Sequence, residues 1–413
     1  MNDLKENIVF NLKNHLIQFA LNNFLNIDNY DFPRINKTSI LRKIINEKEI
    51  QKLLDSLISK IKSYKNINPY ELSIKDSEEI KKIIISHLLE FDKGKYFFDK
   101  PFLKFFIDKG YLDVAEDFIN RAKKEDNNLT GEEIFQAMRN VWIMNSLQII
   151  WGMPLDLTPS IYAYSMLYPY TDNLLDNKDI DLQEKSRFNH ILTKTLKGEK
   201  QIPSNAHENR VFALLQDIES QYNREDFSQV YESILLIQEA QIESLKQNQN
   251  ATMTDVDILP ISFFKGGASV LADAFLVKGN LSKEEMEFSF EYGAFLQLLD
   301  DLQDTIEDKV EGHQTIFSIN DKVDLDKNIY KLISYIFEVN TPNNGDSQAM
   351  VFMKEVISSC SLIMVMDAVG RNHSLVSKKL YKKLESYSKV RLSFYKKMET
   401  QLNELNKTFN LKY

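Results

Sequence analysis

The segment from Gly293 to Asp308 places four aspartates and a glutamine on one side of a predicted helix. At about 100° per residue, these five side chains fall in one sector, and they are Gln297, Asp300, Asp301, Asp304 and Asp308. The opposite side is apolar and consists of Phe295, Leu298, Leu299, Leu302 and Ile306. Carboxylates this close repel one another unless a positive charge lies between them. The segment therefore predicts either an acidic front that binds a divalent cation or a solvated acidic surface.

The composition favours long helices with few hairpins. The chain has 413 residues, of which 43% are hydrophobic, and its 12 Gly and 9 Pro supply few turn signals for that length. Residues 1–112 alternate apolar and polar positions at helical spacing and carry no recognisable chemistry. We therefore predict an all-α fold with an N-terminal helical extension over residues 1–112 and a chemistry-bearing domain over residues 113–413.

Charge and cysteine usage limit the function classes. The net charge of −9 weighs against nucleic-acid binding, which requires a basic surface. The single cysteine, Cys360, excludes an internal disulfide framework and is typical of a reducing compartment. With no recognisable leader and no run of about 20 apolar residues, the sequence predicts a cytoplasmic protein without stable membrane insertion.

A second acidic feature ends another predicted helix. Asp172 and Asp176 are four residues apart and so share a helix face, on a helix that begins after Thr158 with Pro159. Such a pair is more often surface than site when it stands alone. It gains meaning because a second acidic helix follows it in the chain.

Three cationic side chains are candidates for binding an anion. Lys265 precedes the pair Gly266–Gly267, which we interpret as a helix break beside a cation, with close packing of two helices as the alternative. Arg210 lies on a predicted helix over residues 206–222, and Arg391 lies on one over residues 374–408. For both arginines an ordinary surface position is the competing interpretation.

These motifs together resemble those of the class I isoprenoid synthases. The pattern Gly293-x-x-Leu296-Gln297-x-x-Asp300-Asp301-x-x-Asp304 resembles the second aspartate-rich motif of the trans-isoprenyl diphosphate synthases, with Leu296 in place of their phenylalanine. Asp304 and Asp308, with Gly312, are similar to the corresponding motif of squalene and phytoene synthases. Bacterial tetraprenyl-curcumene-type terpene synthases have a similar mixture of motifs, with a Leu-Leu-Asp run and an acidic Glu-Asp step. Asp172 and Asp176 resemble the first aspartate-rich motif, and the resemblance covers roughly residues 130–320.

The resemblance implies an all-helical bundle around a central cavity, with two acidic motifs facing each other across its mouth. It implies an enzyme in which several Mg²⁺ ions bind the diphosphate of a prenyl diphosphate substrate, and it leaves a homodimer open. The implied metal ligands are Asp172, Asp176, Asp300, Asp304 and Asp308, and Asp301 joins the catalytic set. The implied diphosphate-binding residues are Lys265, Arg210, Gln297 and Arg391.

Departures from the family pattern bear on the reaction. Elongating synthases pair aspartates in the first motif and follow it with arginines, whereas this chain has Asn173 there and no arginine within residues 177–181. The expected function is therefore ionisation of a prenyl diphosphate by a terpene synthase or a prenyl coupling enzyme. Chain elongation with isopentenyl diphosphate and a non-catalytic helical binding or scaffold protein are the alternatives.

Overall fold

The computed structural model describes residues 8–27, 35–62, 74–176, 180–248 and 252–408, and these ranges contain no β-strand. The helices are α1 (Ile8–Leu25), α2 (Ile40–Lys62), α3 (Ile74–Lys93), α4 (Leu103–Lys109), α5 (Tyr111–Glu125), α6 (Gly131–Ile150), α7 (Pro159–Asp176), α8 (Leu182–Leu196), α9 (Ala206–Gln221), α10 (Ser228–Ser244), α11 (Asp255–Lys278), α12 (Lys283–Gln303), α13 (Thr305–Glu311), α14 (Lys322–Val339), α15 (Gln348–Arg371), α16 (Lys378–Tyr387) and α17 (Leu392–Thr408). A 3₁₀ helix, Leu245–Asn248, follows α10. The all-α prediction is confirmed.

Local sequence signals set the helix starts that frame the site. Ser282 and Glu285 form a capping box before α12, in which the Glu285 amide donates to Ser282 Oγ at 3.2 Å and the Ser282 amide donates to Glu285 Oε2 at 2.9 Å. These bonds satisfy amide groups that the first helical turn leaves without partners. Helix α7 begins at Pro159 as predicted, with the Ile161 amide donating to Thr158 Oγ1 at 3.3 Å.

The predicted helix over residues 374–408 is wrong in one respect. It is interrupted after Tyr387, because Ser388 adopts an extended backbone, with φ −61° and ψ 140°. A second helix, α17, begins at Leu392. Arg391 therefore lies in the connection between two helices and not on a helix face.

The chain divides into two compact units. Unit 1 consists of Met1–Asn29, Leu112–Ile319 and Tyr335–Lys354, and unit 2 consists of Tyr30–Tyr111, Asn320–Ser334 and Glu355–Tyr413. One boundary between the units lies between Tyr111 and Leu112, while α1 belongs to unit 1 and α17 to unit 2. The division of roles between residues 1–112 and 113–413 stays a prediction.

Helix α11 is the central element of unit 1. It packs against α12, α10, α6, α7 and α1. Most of its side chains between Ile258 and Val277 are buried, and Ile258, Phe263, Leu271 and Phe275 are each fully inaccessible to solvent. A helix that is apolar all round is stable in water only when other elements cover it. The sequence of α11 therefore requires a surrounding layer of helices.

Helices α11 and α12 approach each other at glycines. A Cβ added to Gly266 would lie 2.3 Å from the Gly293 carbonyl oxygen, and one added to Gly293 would lie 2.0 Å from the Gly266 carbonyl oxygen. A Cβ on Gly267 would meet the Phe290 ring at 2.5 Å. Helix α11 continues through the glycine pair. The interpretation as a helix break is wrong, and the alternative, close helix packing, is confirmed.

Among the residues that the structure describes, two helices, α11 and α15, are long and apolar enough to cross a membrane by length and composition alone. In α11, 83% of the apolar window is buried inside the protein, as in the core helix of a soluble protein, and in α15 the share is 50%. The prediction of no stable membrane insertion stays a prediction.

We expect Gly293→Ala to lower the free energy of unfolding. Replacing glycine by alanine inside a helix normally stabilises it by about 1 kcal/mol, but here the new methyl group meets backbone atoms that cannot move independently. Overpacking typically costs about 1–3 kcal/mol, so we expect a net loss, measurable by urea denaturation. The control is Gly345→Ala, because a Cβ there meets nothing within 4 Å. Equal stability of the two variants would contradict the packing argument.

Candidate functional site

The acidic front lies where α12 passes into α13. Helix α12 ends at Gln303, Asp304 separates the two helices, and α13 ends before Gly312, whose φ is 79°. Hydrogen bonds of the helical type continue across the junction, from the Asp304 amide to the Asp300 carbonyl at 3.0 Å and from the Asp308 amide to the Asp304 carbonyl at 2.9 Å. The aspartates therefore keep nearly the angular relation that the sequence predicts.

The apolar side of this segment is buried except at its end. Phe295, Leu298 and Leu299 are fully buried and Leu302 is 3% exposed, as predicted. Ile306 is 45% exposed, so its assignment to the buried side is wrong. The reason is that α12 stops at Gln303, and the short α13 buries Thr305 alone.

Asp301 is the one aspartate of the four that is buried, at 4% exposure. Ser262 Oγ, on α11, donates to its Oδ2 at 3.1 Å, and Gln297 Nε2 donates to its Oδ1 at 2.7 Å. Burial raises the pKa of Asp301 to about 6, while the Gln297 hydrogen bond and the positive charge of Lys265 act in the opposite direction. Asp301 thus links α11 to α12, and the Gln297 side-chain amide donates its hydrogen bond to Asp301.

Asp308 lies within electrostatic range of the other three aspartates of the front. Burial raises its pKa to about 7, and the negative charges of Asp301, Asp304 and Asp300 raise it further, whereas a hydrogen bond from Thr315 Oγ1 at 3.4 Å lowers it. The charges of Asp300, Asp301 and Asp304 therefore all act on the ionisation of Asp308. Asp300 and Asp304 are exposed to solvent.

Lys265 supplies positive charge beside this front. It is partly buried on α11, next to the glycines at which α11 meets α12. Its charge lowers the pKa of Asp301. Together with burial, which is the larger cause, it also lowers the pKa of His313. The structure thus places Lys265 within electrostatic range of Asp301, and its predicted role in binding a diphosphate stays a prediction.

Sequence reasoning missed the polar residues that connect this front to its surroundings. Gln247 Nε2 donates to Ser262 Oγ at 3.4 Å and to the Gln314 carbonyl at 3.0 Å. His313 Nδ1 lies 2.6 Å from Asn248 Oδ1. A signal for this contact was available in Gly312, since a left-handed glycine after a helix redirects the chain and fixes the residue that follows it.

The first aspartate-rich motif is described in its backbone alone. Helix α7 ends at Asp176, so Asp172 and Asp176 lie in its last turns. The side chains of both lie outside the described residues, as does that of Asn173. Their predicted role as metal ligands stays a prediction.

Arg210, on α9, lies against α7. Its Nε donates to the Tyr170 hydroxyl at 3.3 Å, and its Nη1 lies 3.9 Å from Glu125 Oε2. Tyr170 in turn donates to Asp126 Oδ2 at 2.7 Å. Arg210 Nη2 is buried without a hydrogen-bond partner, so part of this guanidinium remains available to an acceptor.

Arg391 belongs to unit 2 and is engaged by Glu47 of α2. Its Nε donates to both carboxylate oxygens, at 2.9 and 3.0 Å, and its Nη2 donates to Oε2 at 2.5 Å. The Glu47 side chain is 6% exposed, so the arginine neutralises a buried carboxylate. Its contacts therefore lend no support to the predicted role in diphosphate binding.

Within the described ranges, no group of three or more His, Cys, Asp or Glu residues is arranged to hold a metal ion. No protein family, curated protein or solved structure matches the chain.

We expect the contribution of Asp308 to the free energy of unfolding to fall as the pH rises from about 4 to about 7. Because the pKa of Asp308 is raised to about 7 in the folded chain, the folded state holds more protons than the unfolded state in that range. Asp308→Asn removes this contribution, so its free energy of unfolding should decline less over the same range in urea denaturation.

The matched control is Glu307→Gln, which removes one negative charge from an exposed neighbour on the same helix. This variant should keep the parental pH dependence. If Asp308→Asn and Glu307→Gln show the same slope, the proposed repulsion at Asp308 is wrong.

Proposed function

We propose that unit 1 is a Mg²⁺-dependent enzyme that ionises a prenyl diphosphate to an allylic carbocation, with the finer architecture of a class I isoprenoid synthase-like bundle. The observation that carries the proposal is the concentration of Asp300, Asp301, Asp304 and Asp308 beside Lys265, at a crossing of two helices that glycines draw together. Such a concentration of like charge favours a cation. An anionic substrate then brings the countercharge.

The donor chemistry of the front fits Mg²⁺. This ion takes oxygen ligands and is typically held by one or two carboxylates, several waters and substrate phosphates, so a ready-made cage of protein ligands is not required. Asp300 and Asp304 are exposed and Asp308 is half-buried, which leaves all three accessible. In the proposal they hold the ions together with Asp172 and Asp176. Bound there, Mg²⁺ acts as a Lewis acid for the departing diphosphate.

Asp301 has a different role in this proposal. Its carboxylate already accepts hydrogen bonds from Ser262 and Gln297, and it is buried below the exposed aspartates. It therefore fixes the position of α12 relative to α11 and maintains the negative potential of the front. Gln297 orients Asp301 through this hydrogen bond. The role that the family resemblance implies, direct contact of Gln297 with the diphosphate, requires the Gln297 side chain to rotate away from Asp301.

The cations of unit 1 match the charge of a diphosphate. Lys265 adjoins the front, and Arg210 retains a buried Nη2 without a partner beside α7, the helix that carries Asp172 and Asp176. Both would donate charge-assisted hydrogen bonds to diphosphate oxygens. Because the chain as a whole has a net charge of −9, these local cations are needed to bind an anionic substrate.

The choice of reaction rests on what the first motif lacks. Asn173 replaces the second aspartate, and residues 177–181 contain no arginine for a second diphosphate. The proposal is therefore turnover of prenyl diphosphates without isopentenyl diphosphate, by cyclisation or by coupling.

A non-catalytic helical binding protein is the second candidate. It is favoured by the arrangement of the described His, Cys, Asp and Glu side chains, since no three of them are grouped so that they could hold a metal ion. In that case the acidic front would be a solvated surface whose buried member, Asp301, joins two helices.

The test is incubation of the full chain with geranyl, farnesyl, geranylgeranyl and longer prenyl diphosphates, each with and without Mg²⁺ and isopentenyl diphosphate. We expect Mg²⁺-dependent release of diphosphate without isopentenyl diphosphate. Asp300→Asn should lower kcat/KM by about 100-fold or more, because it removes a carboxylate that would hold the Mg²⁺ on which stabilisation of the departing diphosphate depends.

Glu307→Gln is again the control and should keep parental activity. If turnover requires isopentenyl diphosphate and gives longer prenyl diphosphates, the proposal is wrong and the enzyme is a chain-elongating synthase. No Mg²⁺-dependent turnover of any substrate, with Asp300→Asn indistinguishable from the parent, would favour the non-catalytic candidate.

A further inference from the structure

Unit 2 contains an open cavity of about 430 Å³ at the start of α2. Its lining includes Lys37, Ser39, Arg42, Asn46, Lys95 and Lys389. All of these residues belong to unit 2, so the cavity is independent of the acidic front of unit 1.

The charge of this lining is opposite to that of the whole chain. Among the described residues that line the cavity, four side chains are cationic and one, Asp99, is acidic. Asp99 forms an ion pair with Lys389, which leaves the charges of Lys37, Arg42 and Lys95 in excess. In a protein of net charge −9, a concave surface with this excess attracts anions.

The first turn of α2 adds to the positive potential. Ser39 Oγ accepts a hydrogen bond from the Arg42 amide at 3.3 Å, and the Ser39 carbonyl accepts from the Lys43 amide at 3.1 Å, so the helix starts at the cavity wall. Helix α2 has 23 residues. The N-terminus of a helix carries partial positive charge and amide groups that favour phosphate.

Asn46 provides an independent indication of a ligand. This lining residue is 2% exposed, and its Nδ2 donates to the Lys389 carbonyl at 2.8 Å. Its Oδ1 is buried without a hydrogen-bond partner. An unpaired buried acceptor is costly, and a hydroxyl group of a ligand would satisfy it.

The wall that carries Asn46 is held rigidly. On either side of it along α2, Lys43 Nζ donates to Glu385 Oε1 at 2.8 Å and Glu47 binds Arg391 through two nitrogens. The side chains of Lys43 and Glu47 are 3% and 6% exposed. The position of Asn46 is therefore fixed in the absence of a ligand, which lowers the entropy that binding must overcome.

We propose that this cavity binds a small soluble phosphomonoester that also carries a hydroxyl group. The phosphate lies against Lys37, Arg42 and the first amides of α2, and the ligand hydroxyl donates to Asn46 Oδ1. Binding of this kind requires both an anionic group and a hydrogen-bond donor in one molecule. Sulfate at neutral pH has no proton to donate, so it contacts the cationic side chains and leaves Asn46 Oδ1 unpaired.

The test is isothermal titration calorimetry of the full chain with glycerol 3-phosphate, propyl phosphate and sulfate. We expect one site per chain for glycerol 3-phosphate. Propyl phosphate, which lacks the hydroxyl groups, should bind about tenfold more weakly, since it leaves Asn46 Oδ1 unpaired. Equal affinity for the two esters would overturn the role of Asn46, and no heat from glycerol 3-phosphate would overturn the site.

Variants locate the binding without altering the core. Arg42→Gln and Lys37→Gln should each weaken binding of glycerol 3-phosphate by about tenfold, whereas Lys48→Gln, an exposed change on α2 outside the lining, should leave it unchanged. Equal affinities of all three variants would place the binding elsewhere and overturn the proposal.

The same phosphate chemistry is present in a lipid headgroup. Flotation with vesicles that contain phosphatidate distinguishes that source. Binding to the vesicles without binding to soluble glycerol 3-phosphate would contradict the proposal of a soluble ligand.

Discussion

The contact between α11 and α12 is the constraint on which the rest of unit 1 depends. Glycines at 266 and 293 let the two backbones meet where any Cβ would collide with a carbonyl oxygen. This approach brings Ser262 within hydrogen-bond distance of Asp301 and brings Lys265 within electrostatic range of the same carboxylate. The apolar body of α11 then supplies the burial that holds this polar junction in place.

The junction concentrates negative charge at one end of a well-packed helix pair. Burial raises the pKa of Asp308 to about 7, and the negative charges of Asp301, Asp304 and Asp300 raise it further, so folding holds this carboxyl group in surroundings that disfavour its charge. A protein tolerates such repulsion where function requires it or where packing outweighs it. The proposed function follows from the first explanation: in that proposal Mg²⁺ would neutralise the carboxylates of the front, and Lys265 would contribute a fixed cation to the bound diphosphate.

Sequence reasoning succeeded where the determining signal is local. Thr158 and Pro159 marked the start of α7, and a period of about 3.6 residues separated the aspartates from Phe295 and Leu298. It failed where the partner is distant: Gly266 fits a helix break or a close contact equally well until Gly293 is seen opposite it. Arg391 likewise gives no sign that it binds Glu47, 344 residues away in the chain.

The most direct test of the account is a crystal of the full chain soaked with Mn²⁺ and pyrophosphate, measured at a wavelength that reveals manganese by anomalous scattering. Mn²⁺ substitutes for Mg²⁺ at oxygen sites. The account predicts anomalous peaks at coordination distance from Asp300 and Asp304, with pyrophosphate oxygens between the metal and Lys265. Ordered pyrophosphate bound elsewhere, or an acidic front without manganese at saturating concentration, would contradict it.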